Sequence, residues 1–400
     1  MVQFISKHTL ILVYSFVFAG LMFGVYHTSG TTFFQELGIY FVVLLAFYAL
    51  MATKPVQKFL ANRLRFIGYR KLNFNINYLI IGVLGFIIFH FFYLGGFPAL
   101  QALDIYYIED VALHRESISK DTPKLILYLV SFTLKSILPF LLLYFIIKKR
   151  FVLYWILFAV SVFYAFTLMQ KSYVVGLLLP SIIYCVLSRQ FLLAIKDIGM
   201  IVLVVVSLVF IANPPGENRT NIQQVYTQIE NNLPNLPKKE YPKIELVALG
   251  LYHRILIVPG EMVSGWFETI PSKKPFLYGD GYRLLAKIRG RVYRDFSSEL
   301  YLVLNPEYKE SGLEGTVNVA SFMYDYANFG WPGFILSGFL LAFLLTVVEL
   351  FFADNFKLKL SINLFPILLL SSTAITTLLF SGGWGLSILL YYIFLQDKRE

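Results

Sequence analysis

Ten predominantly apolar stretches, at about 9–26, 33–52, 76–93, 125–147, 151–169, 172–188, 192–212, 332–352, 361–380 and 383–396, alternate with polar connections along the chain. Most are close to the twenty or so residues a helix needs to cross the hydrocarbon of a bilayer, the last being the shortest. The pattern therefore predicts an all-α polytopic membrane protein with about ten transmembrane helices. Pro180 and Pro366 fall inside two of these stretches. Proline is tolerated there because neighbouring helices can satisfy the backbone groups it frees. The first apolar run is long for a signal peptide and lacks a small-x-small cleavage site, so it reads as an uncleaved span. One interval breaks the rhythm. Residues 213–331 form a long polar and aromatic segment, whereas every other connection is far shorter. The chain divides accordingly into a seven-span region (1–212), a large loop (213–331) and a three-span region (332–400).

Within the loop, Asn213-Pro214-Pro215-Gly216 is a helix stop, and Pro234, Pro237 and Pro242 follow. From Ile244 to Val258 the apolar positions 244, 247, 248, 251, 255 and 258 recur at helical spacing. That predicts an amphipathic helix packed on, or dipping into, the membrane face. The shorter 94–124 connection opens on Gly95-Gly96-Phe97-Pro98, a turn signal, and predicts a short surface helix.

Composition supports a membrane protein. The chain is 58% hydrophobic and only 14% charged, against about 25% charged in soluble domains. Its single cysteine, Cys185, excludes an internal disulfide and a cysteine-based metal site. The net charge of +10 follows membrane side and does not signal nucleic acid. Lys54, Lys58, Arg63, Arg65, Arg70, Lys71, Lys148, Lys149, Arg150, Arg189, Lys196, Lys357, Lys359, Lys398 and Arg399 all fall on one face if the chain crosses ten times. By the positive-inside bias that face is cytoplasmic, which puts both termini inside and the 213–331 loop outside. Across that loop lysine and arginine balance aspartate and glutamate, so any positive character is local.

Several residues are candidates for chemistry. Arg254 lies beside the apolar stripe, where a guanidinium could fork onto a phosphate at the membrane surface. Pairing with Glu245, Glu261 or a lipid headgroup is the plainer alternative. Arg283, Lys287, Arg289, Arg291 and Arg294 form a basic run without an acid among them. If helical, positions 283, 287, 291 and 294 share a face suited to diphosphate or anionic lipid, although Gly290 weakens the helix. Lys171 sits in the tight turn Gln170-Lys171-Ser172-Tyr173, and Lys135 near the middle of the fourth span, where a lysine is costly enough to suggest a role. In the return to the eighth span, Asn318 and Asp325 could orient sugar hydroxyls or simply cap and turn the chain, and Tyr324 and Trp331 read as interface residues. His253, Glu261, Asp280, Asp295, Glu299 and Asp325 are possible acid/base groups. His253 has the most suitable ordinary pKa. No Asp-x-Asp, phosphate-binding glycine loop or Gly-x-Ser-x-Gly motif is present.

The layout of many spans with one large late outer loop, the Gln170-Lys171-Ser172 turn, and the stretch from Gly315-Thr316 to Tyr324 and on through Asn328-Phe329-Gly330 and Gly333 together resemble the bacterial O-antigen (oligosaccharide repeat-unit) polymerase family. Arg254 fits the outer-loop arginines of that family loosely. The resemblance implies a metal-independent, cofactor-free membrane glycosyltransferase of the C type in the inner membrane. It would join undecaprenyl-diphosphate-linked oligosaccharide units at the periplasmic face, with a chain-length regulator as a possible protein partner. On that expectation Arg254, His253 and Asp325 are catalytic. Lys171, Lys135, Arg283, Lys287, Arg289, Arg291, Arg294, Asn318 and Tyr324 bind substrate, and the loop forms a lid over a diphosphate site shared with Lys171. An O-antigen ligase and a transporter of lipid-linked sugar are the alternatives. A transporter should show paired broken spans in corresponding halves, and no such symmetry is visible in the sequence.

Overall fold

A computed structural model of the protein describes residues 6–67, 75–105, 108–120, 122–212, 249–250, 252–304 and 315–395. Among these the regular structure is helical, with no strand. The main helices are α1 (Thr9–Ser29), α2 (Phe34–Met51), α3 (Lys54–Ile67), α4 (Ile76–Tyr93), α5 (Ile108–Lys120), α6 (Lys124–Phe132), α7 (Leu138–Ile147), α8 (Phe151–Thr167), α9 (Lys171–Leu187) and α10 (Phe191–Ala212). They continue with α11 (Val258–Thr269), α12 (Arg283–Ile288), α13 (Phe296–Leu304), α14 (Ser321–Phe329), α15 (Trp331–Phe351), α16 (Phe356–Leu369), α17 (Ile375–Leu379) and α18 (Trp384–Phe394). Among the described residues seven stretches are long and apolar enough to cross a membrane, and α8 and α9 are shorter apolar helices. The protein is thus a helical membrane protein.

The expected ninth and tenth spans, 361–380 and 383–396, do not form as two continuous helices. The chain leaves the helix at 370–374 and again at 380–383. Non-helical backbone at membrane depth survives only where protein satisfies its polar groups. The first break meets that condition: Ser321 N donates to Leu370 O at 2.8 Å and Val319 N to Ser372 O at 3.3 Å.

Among the described residues two helices carry a π turn, at Thr133–Ile137 between α6 and α7 and at His253–Ile257 before α11. In each the next amide reaches back five residues, Leu138 N to Thr133 O and Val258 N to His253 O. Pro139 and Pro259 follow directly. Proline has no N–H to donate to the carbonyl four residues earlier, so the ordinary ladder is already open there. The helix expected to end at Val258 therefore runs on to Thr269; its predicted start, at 244–248, lies outside the described residues.

The contacts separate into two units that do not follow sequence order. The first comprises Met1–Tyr69, Lys239–Asp354 and Ile367–Thr377; the second, Arg70–Lys238, Asn355–Pro366 and Leu378–Glu400.

In the first unit α15 packs on α2, and α11 on α1. The second contact is close because both helices carry glycine: a Cβ on Gly260 would stand 2.2 Å from Gly24 C and Val25 N. The described part of the long loop is accordingly joined to the spans through an aromatic core. Phe322 stacks on Tyr40 (4.3 Å between ring centres) and lies 5.9 Å from Phe18. Phe334 stacks on Tyr326 (4.7 Å), which meets Phe267 (5.2 Å). These rings are core, not lipid-facing surface. At the other end of the same helices, the buried Glu349 carboxylate accepts from Leu10 N at 2.7 Å and from the Tyr48 hydroxyl, tying the start of α1 to the end of α15. A buried carboxylate persists only with such donors.

In the second unit α7, α8, α9 and α10 share a core rich in leucine, valine and phenylalanine. Several polar groups inside it are partnered, whereas the Ser161 and Ser181 hydroxyls and Asp197 Oδ2 are buried without a hydrogen-bond partner among the described residues. His90 Nδ1 lies 2.9 Å from the Tyr164 hydroxyl. Trp384 Nε1 donates to Asn363 Oδ1 at 2.7 Å. Buried Asp197 holds Lys196 at 2.9 Å and accepts from Tyr154 at 3.1 Å.

Candidate functional site

The most organised polar site in the first unit is a turn gripped by one short helix. α14 carries Tyr324, Asp325 and Asn328, a spacing that puts them on neighbouring positions of one side. All three reach the backbone or side chain of residues 281–282. Gly281 N donates to Asn328 Oδ1 at 3.0 Å, the Tyr324 hydroxyl donates to Gly281 O, and the Tyr282 hydroxyl donates to Asp325 Oδ1. Asn328 is itself oriented by donating to Tyr324 O at 2.8 Å. Leu277 N donates to Ala327 O at 2.9 Å, and the Tyr282 ring stacks on Phe329 at 6.1 Å. The turn from 277 to 282 is thereby fixed to the residues just before α15.

The basic run hangs from this clamp, but it is not one helical stripe. α12 covers only Arg283–Ile288, and Gly290, at φ 65°, ends it. The expectation that 283, 287, 291 and 294 line one helix face is therefore overturned, since glycine allows the left-handed turn that stops the helix. The charges also separate by partner. Arg289 and Arg291 approach the Asp280 carboxylate at 3.7 and 3.4 Å. Arg294 forks onto Glu299, Nε at 2.9 Å and Nη2 at 2.6 Å, and Lys274 joins the same carboxylate at 2.9 Å. The fork from Arg294 is the main reason Glu299 stays below, and Arg294 above, its ordinary pKa. Arg283 lies 4.9 Å over the Tyr293 ring. Arg283 and Lys287 are exposed, with no carboxylate partner among the described residues.

Of the other residues singled out in this unit, His253 Nε2 meets Glu261 Oε1 at 3.1 Å. That occupies the carboxylate considered for Arg254, whose side chain is exposed; Glu245 lies outside the described residues. Asn318 is exposed in the extended segment before α14, and Asp295 precedes α13. Lys135 and Lys171 belong to the second unit. Lys135, in the π turn, lies 5.8 Å from the ring of Tyr173, two residues beyond Lys171. Next to it, Ser136 Oγ donates to Gly383 O, and Ser131 Oγ to Ser381 O at 2.6 Å, satisfying the second helix break. Among the described residues no group of three His, Cys, Asp or Glu side chains converges to hold a metal ion. The sequence reading passed over Gly281 and Tyr282. The available signal was three hydrogen-bonding side chains, at 324, 325 and 328, on neighbouring positions of one nine-residue helix.

Asp325 is buried, and burial raises its pKa from 3.8 to about 6 against the opposing hydrogen bond from Tyr282. Burial and the facing carboxylate in turn push the Tyr282 hydroxyl upward. A carboxyl whose pKa is raised on folding binds its proton more tightly in the native state. Its contribution to stability is greatest below about pH 4, falls as pH rises to about 6, and stays about 3 kcal/mol lower above that. Asp325→Asn removes this dependence. The difference in melting temperature between wild type and Asp325→Asn, followed in detergent from pH 4.5 to 7.5, is expected to move in the variant's favour as pH rises. A difference that does not change with pH contradicts the assignment.

Compared with protein-family models, characterised proteins and solved structures, the chain matches none, so the reading of this site rests on its own residues.

Proposed function

We propose that the protein is a membrane-embedded glycosyltransferase of the C type. It would join polyprenyl-diphosphate-linked oligosaccharide units at the outer face of a bacterial inner membrane, as an O-antigen or related polysaccharide polymerase. The observation that carries this reading is the pair Arg283 and Lys287, cations without a carboxylate partner among the described residues, held on a turn clamped beside a span. In the transfer, a hydroxyl oxygen of the incoming unit attacks the anomeric carbon of the donor sugar. A carbon–oxygen bond forms there as the bond to diphosphate breaks, and the hydroxyl proton leaves to a base or to the diphosphate. Negative charge grows on the leaving group, so the chain's main task is to supply fixed cations where it develops. Arg283 and Lys287 fill that role, and Arg254 is a further exposed cation of the same unit. Asp325 acts through Tyr282 as a positioning residue, and Tyr324 and Asn328 act likewise. His253, paired with Glu261, is the group best suited to take a proton. The threading of the termini to the cytoplasmic side rests on the distribution of lysine and arginine.

One observation favours a second reading, transport of a lipid-linked oligosaccharide: the helix breaks at 370–374 and 380–383, since discontinuous helices line transporter sites. Deleting the gene separates the two. The polymerase reading expects lipopolysaccharide bearing a single repeat with the long ladder lost; loss of the single-repeat band as well supports transport, or ligation. Complementation with Arg283→Gln/Lys287→Gln, at equal protein level, is expected to lower polymer formation at least about tenfold, because each charge-assisted contact is worth about 1.5–3 kcal/mol. A normal ladder removes these two residues from the site.

A further inference from the structure

The turn that carries Arg283 and Lys287 also displays apolar side chains. Leu284 is 70% exposed, Ile288 71% and Val292 84%. Leu284 and Ile288 are four residues apart on α12 and share a face. A water-facing loop gains nothing from three large apolar side chains set among four cations. The clamp supplies the explanation, because it fixes depth. Tyr324, Asp325, Asn328 and Phe329 hold residues 281–282, and the span α15 starts at Trp331. Trp331 itself is 45% exposed, as suits a tryptophan at the boundary between water and hydrocarbon. The turn is thus held at interface level. Basic side chains flanking an apolar face are what a segment lying in the membrane surface requires.

We propose that residues 283–292 form a membrane-interface wedge. Leu284, Ile288 and Val292 insert among the acyl chains of the leaflet adjoining the start of α15, and Arg283 and Lys287 hold the phosphate of anionic lipid headgroups there, a polyprenyl diphosphate being one such headgroup. This goes beyond the transferase reading and stands whether or not a sugar is transferred.

The only native cysteine, Cys185, is fully buried, so Ile288→Cys can be labelled with an environment-sensitive fluorophore in the full-length protein. In lipid nanodiscs the label is expected to be quenched by shallow spin-labelled lipid at least about twofold more than by aqueous iodide. Quenching by iodide alone places the turn in water, and protection from both quenchers places it under protein, including a second copy; either overturns the proposal. Val292→Cys, outside α12, repeats the measurement should Ile288→Cys fold poorly. The headgroup half is read from the emission shift as phosphatidylglycerol replaces phosphatidylcholine. The shift is expected in the wild-type background and is expected to shrink in Arg283→Gln/Lys287→Gln. Emission indifferent to phosphatidylglycerol, or an equal shift produced by millimolar inorganic phosphate, overturns it.

Discussion

Substituting Gly333 with valine is expected to leave little folded protein. A Cβ at this position would stand 2.1 Å from Asp325 O and 2.5 Å from Asp325 C. Both are backbone atoms, which cannot swing aside as a side-chain tip can. The contact lies at the corner where α14 turns into α15, a corner already tight because Gly330 sits at φ 65° and Gly333 N donates to Gly330 O at 2.9 Å. Relief would need the two helices to part, disturbing the clamp on Tyr282 and the Tyr326–Phe334 stack together. The expected cost exceeds about 4 kcal/mol, beyond ordinary overpacking of a core. Size-exclusion profiles and melting curves of the detergent-solubilised variant provide the check. A wild-type melting temperature would mean that the corner does not close as described.

Asn328→Ala is expected to act on a smaller region and to open the turn. The side chain is fully buried, takes the Gly281 amide as acceptor and gives a hydrogen to Tyr324 O. Its removal leaves the buried Gly281 amide without its acceptor and a hole beside it, a loss of about 2–4 kcal/mol. The spans do not depend on this contact, so the effect should appear as local opening. Amide exchange at residues 277–282 is expected to accelerate at least about thirtyfold, with α1, α2 and α15 unaffected. Unchanged protection at Gly281 would show that the clamp does not hold the turn. On the proposed function the same variant loses transfer, because Arg283 and Lys287 hang from the segment it releases.

The apolar rhythm was sufficient to anticipate α1, α2, α4, α10 and α15, because burial in lipid imposes a length and a composition on each crossing independently of its neighbours. The break at 370–374 was not legible. Its backbone is satisfied by Val319 and Ser321, far upstream, and nothing local to Ser371-Ser372-Thr373 announces that pairing. The basic run shows the same limit. Helical spacing of 283, 287, 291 and 294 pointed to one face, but Gly290 ends the helix and Asp280, across the turn, takes Arg289 and Arg291. Arg294 goes to Glu299. The polar residues of the return stretch stand out in the sequence, while the partner that Tyr324, Asp325 and Asn328 find, residues 281–282, required the fold. The π turns were visible only as Pro139 and Pro259, which also fit plain kinks.

The interleaving of the first unit carries a consequence for biosynthesis. Glu349, which caps the Leu10 amide and binds Tyr48, lies 339 and 301 residues downstream of those partners, on the α15 that covers α2. Ribosomes add roughly 5–20 residues per second, so α1 and α2 wait on the order of 15–60 s in the bilayer before α15 is made. During that interval the surfaces of Tyr14, Tyr40 and Tyr48 that end up buried have only lipid, each other or an assisting factor to face. Synthesis halted before residue 331 leaves the face of α2 that α15 covers without its partner.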